Sequence, residues 1–263
     1  SSFSKSGTTA SQKTGSPFES FLLSLSMIIV SEIGDKTFLI AALMAMKHSR
    51  ITVFTAAFSS LAIMTVLSAF LGHAVPTLLP KKLTSLIAAV LFVIFGVRLM
   101  KEGVEMDPNA GVDEELQEVE EEIVAKELSM RDDDLEKGLG SDASKKRLSS
   151  SLNRSNSSPR ISQDGFGNLA GFVLSPIWVQ VFVMTFLGEW GDRSQIATIV
   201  MAAGSDYWFV IIGAVIGHGL CTGGAVIGGR YLATKISLKQ ITLGGAVAFI
   251  AFALLYFYDF YTL

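Results

Sequence analysis

The chain has 263 residues, half of them hydrophobic and only 17% charged, against roughly 25% in ordinary soluble domains. A net charge of −3 excludes a basic footprint for nucleic acid, and a single cysteine, Cys221, excludes both a disulfide framework and a cysteine-built zinc site. Charge is unevenly placed: residues 101–170 hold 17 of the 24 acids and 9 of the 21 bases, which leaves long apolar stretches on either side.

Residues 1–17 form a polar tail, and an opening at Ser1 without an initiator methionine is what removal of a leader segment or trimming leaves. Apolar runs follow at Phe18 to Met46, Val53 to Gly72, Leu83 to Met100, Ile177 to Ala203, Trp208 to Leu232 and Thr242 to Tyr258. A bilayer core takes roughly 20 residues per helix, so these runs predict an all-α membrane protein with six transmembrane helices. The first run, as one helix, would be about 43 Å long. It has to tilt, protrude or break, and a break has to face protein or water.

Basic residues near the helix ends set the orientation. Lys47, Arg50, Arg98, Lys101, Arg230, Lys235 and Lys239 flank one side, against Lys5, Lys13, Lys81 and Lys82 on the other. The majority predicts an N-terminus on the non-cytosolic side, luminal if the membrane is an organelle's, and a cytosolic central linker. The domain plan is thus a tail (1–17), a first three-helix repeat (18–100), a linker (101–170) and a second three-helix repeat (171–263). Within the linker, Val112, Leu116, Val119, Ile123 and Leu128 fall near helical spacing inside an acidic run, which predicts a short amphipathic helix. Residues 138–168 have the Ser-, Gly- and Asn-rich composition of a disordered tether. Lys145 to Ser149 and Arg154-Ser155 read as basic-directed kinase sites, which makes kinases candidate partners.

An offset of 157 residues lays Ser31 to Leu99 over Gly188 to Tyr256 without a gap. Glu32-Ile33-Gly34-Asp35-Lys36-Thr37 falls on Glu189-Trp190-Gly191-Asp192-Arg193-Ser194, and the register continues through Ala45/Ala202, Thr65/Thr222 and Gly72/Gly229. Each half has three spans, so the second enters the membrane from the opposite side. That is the inverted-repeat plan of secondary transporters, with the substrate site near the midplane.

Of the 7 acids outside the linker, four are Glu32, Asp35, Glu189 and Asp192, placed in apolar runs where an unpaired charge costs at least about 2.5–3.5 kcal/mol. The i, i+3 spacing predicts both carboxylates of each motif on one helical face. Gly34 and Gly191 predict a helix break or close packing, and Thr37, Ser194 and Gln195 add neutral oxygens. An all-oxygen set of this kind suits hard divalent ions, and His48, His73 and His218 lie outside the motifs. Lys36 and Arg193 would balance part of the charge. The competing reading makes Glu32–Lys36 and Glu189–Arg193 self-neutralising i, i+4 pairs that only fix helix packing. Gly217, Gly219, Gly223, Gly224, Gly228 and Gly229 predict close helix contact.

The duplicated Glu-x-Gly-Asp-(Lys/Arg)-(Thr/Ser) motif resembles that of the Golgi calcium/manganese–proton exchangers, and the long acidic linker is most similar to the yeast Golgi member of that family. The resemblance implies a multi-pass Golgi protein, with no cofactor, that loads calcium and manganese into the lumen in exchange for protons, supporting glycosylation. It also implies alternating access at a site where Glu32, Asp35, Glu189 and Asp192 bind the cation and carry the protons, helped by Thr37, Ser194 and Gln195. A divalent-cation channel without proton coupling is the alternative. An enzyme is not expected, since no nucleophile–base pair falls within the spans.

Overall fold

The computed structural model describes residues 16–106, 117–126, 128–129, 171–173, 175–235 and 237–263. All regular structure among them is helical. The kinase-type sequences and the tether fall outside the described residues.

Four of the six apolar runs form single helices long and apolar enough to cross a membrane: α3 (Arg50–Ala74), α4 (Lys81–Glu105), α8 (Tyr207–Lys235) and α9 (Leu238–Thr262). The other two are each split in two. The first gives α1 (Pro17–Glu32) and α2 (Lys36–Lys47); the fourth gives α6 (Pro176–Gly188) and α7 (Arg193–Gly204). Between the halves lies α5, residues 117–126. The overlong first run is therefore broken at the motif.

Local sequence sets the helix starts. Ser16 and Glu19 form a reciprocal capping box, with Pro17 in the first turn, and the Ser175 hydroxyl accepts from the Trp178 amide ahead of Pro176. The 157-residue offset carries α2 onto α7 and α4 onto α9 at both ends, and carries the start of α3 onto the start of α8.

Packing runs mainly between the two halves. Helices α4 and α9 lie antiparallel: Lys82 sits over the Phe260 ring at one end, and Lys239 Nζ donates to the Met106 carbonyl at 2.9 Å at the other. Between these ends, Phe92 meets Phe249, Phe252 and Tyr256 with ring centroids 5.3–6.3 Å apart. Glycine permits the closest approaches. Gly217 lies against Ile28 of α1, and Gly72 of α3 lies against the Ile199 backbone of α7. Its repeat-mate Gly229 of α8 lies against Ala42 of α2, which is in turn the repeat-mate of Ile199. The expectation of close packing holds for Gly217, Gly219 and Gly229, whereas Gly224 faces open space. Outward side chains such as Leu71, Val97, Ile227, Val247 and Leu254 are more than half exposed, as befits a bundle whose outer surface meets lipid.

The amphipathic linker helix forms and docks. Val119 and Ile123 are buried in the same apolar cluster as α2 and α6, while Leu128 is exposed and Val112 and Leu116 lie outside the described residues. Glu122 pairs with Lys36 and with Lys126, and Glu120 with Lys47 at 2.6 Å. Hydrogen bonds from Lys36 and Lys126 hold the Glu122 carboxyl below the usual carboxylate range. Surface pairs of this kind contribute about 0–1 kcal/mol each, so the two apolar side chains, at roughly 1.5–3 kcal/mol apiece, hold the helix down. Ile123→Asp is expected to weaken docking tenfold or more. Hydrogen exchange should then rise across residues 117–126 and stay unchanged in α4 and α9; unchanged protection of α5 would contradict the assignment.

Candidate metal centre

Both motifs make the same backbone turn. Gly34 and Gly191 each have φ +80°, a left-handed conformation open to glycine and strained by about 1–2 kcal/mol for other residues. The Asp35 amide donates to the Glu32 carbonyl at 3.1 Å, and the Asp192 amide donates to the Glu189 carbonyl at 3.1 Å. Asp35 and Asp192 then stand in extended conformation as the N-caps of α2 and α7. The expectation that Glu32 and Asp35 share one helical face is therefore corrected. Glu32 ends one helix and Asp35 begins the next, because a left-handed residue between them cannot continue an α-helix; Glu189 and Asp192 are separated in the same way.

The turn places two helix N-termini, with their positive dipole ends, beside the carboxylates. It also brings in two C-termini, whose last carbonyls lack intrahelical partners. The two breaks meet each other. Carboxylate oxygens of Asp35, Glu189 and Asp192 all lie within 4.8 Å of one another. Glu189 is 2% exposed and is held from both halves: Thr37 Oγ1 donates to Oε1 at 2.5 Å and Ser194 Oγ to Oε2 at 3.1 Å. Thr37 and Ser194 are repeat-mates. Asp192 Oδ2 accepts from the Ser194 amide at 3.2 Å. Gln195 turns its amide oxygen to the Gly191 amide at 2.7 Å, so in this arrangement it braces the break.

The cationic residues do not pair within their own motifs. Arg193 Nη2 crosses to Asp35 Oδ1 at 3.0 Å and to the Ser31 carbonyl at 3.2 Å. Lys36 leaves the centre for Glu122 of α5. Neither i, i+4 pair of the packing-only reading is formed among the ion pairs of the described residues, and of the four motif carboxylates Asp35 is the one paired with a guanidinium there. A cavity of about 650 Å³ reaches Asp35 and Arg193 from the side on which α5 lies, lined also by Glu102, Glu118 and Glu122. Glu189 and Glu32 border two separate voids of about 10 Å³ each.

Sequence reasoning missed His218. It sits on α8, 3% exposed, with Nδ1 3.5 Å from Glu32 Oε1. Its one available signal was its place in an otherwise apolar span without a histidine repeat-mate. The surroundings of the motif are thus not purely oxygen.

Buried carboxylates at paired helix breaks, within a bundle whose outer face is apolar, define an ion-handling membrane protein. The model of the family described as "Divalent cation/proton antiporter GDT1" matches residues 20–107 and 177–262. The divalent cation/proton antiporter GDT1 of Saccharomyces cerevisiae is 53% identical over 249 residues, covering 95% of this chain and 87% of that protein. A GDT1-like protein of Schizosaccharomyces pombe is 44% identical over 242 residues (91% and 82%), and GDT1-like protein 4 of Oryza sativa subsp. indica is 41% identical over 257 residues (97% and 79%). No solved structure matches the chain. The protein is a membrane transporter and not an enzyme. It belongs to the GDT1 family of divalent cation/proton antiporters.

The two glycines offer a differential test. A Cβ at Gly34 would meet Ile241 at 3.2 Å and Leu238 at 3.3 Å, whereas one at Gly191 would meet nothing within 4 Å. Gly191→Ala should cost about 1–2 kcal/mol of backbone strain, and Gly34→Ala more. Thermal unfolding in detergent should therefore rank Gly34→Ala below Gly191→Ala, with both below the parent; equal melting temperatures for all three would refute the shared left-handed turn.

Proposed function

We propose that the chain exchanges calcium and manganese for protons across the Golgi membrane by alternating access at the carboxylate centre. The observation that carries this reading is the meeting of two equivalent helix breaks, which gathers Asp35, Glu189 and Asp192 within 4.8 Å, with Glu32 beside His218. In this reading the two halves are three-span repeats of opposite membrane orientation, each contributing one broken helix, and the linker between them is cytosolic.

With the linker cytosolic, the cavity beside α5 gives the cytosol access to Asp35, and tight packing around Glu32 and Glu189 closes the luminal side. Glu32, Asp35, Glu189 and Asp192 take the cation, with Thr37 and Ser194 as neutral oxygens and Gln195 available once it releases the Gly191 amide. Arg193 limits the charge of the empty centre, while Lys36, the charge-balancing residue expected of the first motif, is held by Glu122 at the cavity that leads to it. Rocking of one half against the other exposes the same carboxylates to an acidic lumen, where protons compete with the cation for them. Cation release and proton uptake are thereby one event. Location and substrates follow the resemblance to the Golgi exchangers and the similarity to the antiporter of Saccharomyces cerevisiae.

The test is cation flux into proteoliposomes with internal pH recorded. Calcium or manganese uptake should dissipate an imposed acidic interior, and Glu32→Gln or Asp192→Asn should reduce uptake tenfold or more. Uptake that neither needs nor moves protons would instead establish a channel, and full activity in both variants would return the motif to a packing role.

A further inference from the structure

We infer that His218 is a further cation ligand, and that it tilts the centre toward transition ions such as manganese and away from calcium. The inference rests on the cation-exchange reading and deepens it.

His218 and Glu32 present to each other two buried polar atoms, Nδ1 and Oε1, neither of which has a hydrogen-bond partner. Buried polar atoms are normally satisfied, and two such atoms left facing each other call for a third party between them. Their separation is 3.5 Å. Two ligands about 2.1–2.4 Å from one ion lie that far apart when they subtend an angle of about 95–115°. His218 also lines the void beside Glu189, Ser194 and Gln195, so it neighbours Glu32 directly and shares a void with Glu189.

The repeat isolates what the histidine adds. Its mate under the 157-residue offset is Leu61, which borders the voids beside both glutamates and has no ligand atom. The oxygen donors occur in both motifs, whereas the nitrogen donor occurs once. Calcium takes oxygen ligands and gains nothing from an imidazole. A first-row transition ion accepts one, and manganese stands at the weak end of that series, so a single histidine tilts the preference without fixing it.

Two measurements test this. In proteoliposomes, His218→Leu, which copies the repeat-mate, should lower manganese uptake relative to calcium uptake by at least about tenfold, the low end of the effect of losing even an outer partner of a metal site. Calcium uptake should fall by less than manganese uptake, so the ratio of the two carries the test. Equal loss of both ions, or no change in either, overturns the assignment. The second measurement is pulsed electron paramagnetic resonance of the parent protein loaded with Mn²⁺ in detergent. It should show modulation from a directly bound nitrogen that disappears in His218→Asn, and its absence from the parent overturns the proposal even if the leucine variant fails to assemble. Failure of the parent to exchange either ion for protons would sink the exchanger reading separately, because the resonance signature does not depend on exchange.

Discussion

A carboxylate buried in an apolar bundle has to be surrounded by donors, and the two halves of this chain meet that need for each other. Glu189 receives one hydroxyl from its own motif and one from the other, and Asp35 receives the Arg193 guanidinium from across the centre. Neither break could stand alone in an apolar bundle, because a turn there leaves helix ends without partners. The close glycine contacts, Gly72 on α7 and Gly229 on α2, bring α2 and α7 near enough for this exchange. Packing and site are thus one requirement: the helices approach so that the carboxylates are satisfied.

Much of this could be read from the sequence, for identifiable reasons. Apolar runs and the 157-residue offset are patterns in composition and register, and four of the runs fold as single long helices whose bounds match under that offset for α4 and α9. The duplicated motif was legible because charge in an apolar run is conspicuous. Other features turned on conformation. Spacing of i, i+3 implied one helical face only if the helix continued, and the φ of +80° at Gly34 and Gly191 ends it. Likewise, i, i+4 spacing suggested that Arg193 pairs with Glu189, but Arg193 starts a new helix and crosses to Asp35 instead. His218 lies 186 residues after Glu32, and no periodicity links them.

The linker helix shows how composition can mislead about importance. Its acids suggest a solvated tether, yet Val119 and Ile123 are as buried as core residues, and Lys36, a member of the first motif, is engaged by Glu122. Docking brings Glu118 and Glu122 to the wall of the cavity that reaches Asp35. A segment that joins the halves in sequence thereby also borders the centre in space.

The divergence between the repeat-mates has an energetic consequence. If the proposed alternating access ran on two identical, inverted halves, the two facings would be related by a two-fold rotation and have equal free energy, each occupied half the time. Lys36 against Arg193, Phe38 against Gln195 and Leu61 against His218 remove that degeneracy. Every 1.4 kcal/mol by which such pairs favour one facing shifts the resting populations about tenfold. In the proposed exchange cycle, the matched helices supply two comparable facings, and differences between repeat-mates at the centre, such as Leu61 against His218, bias which one is occupied at rest.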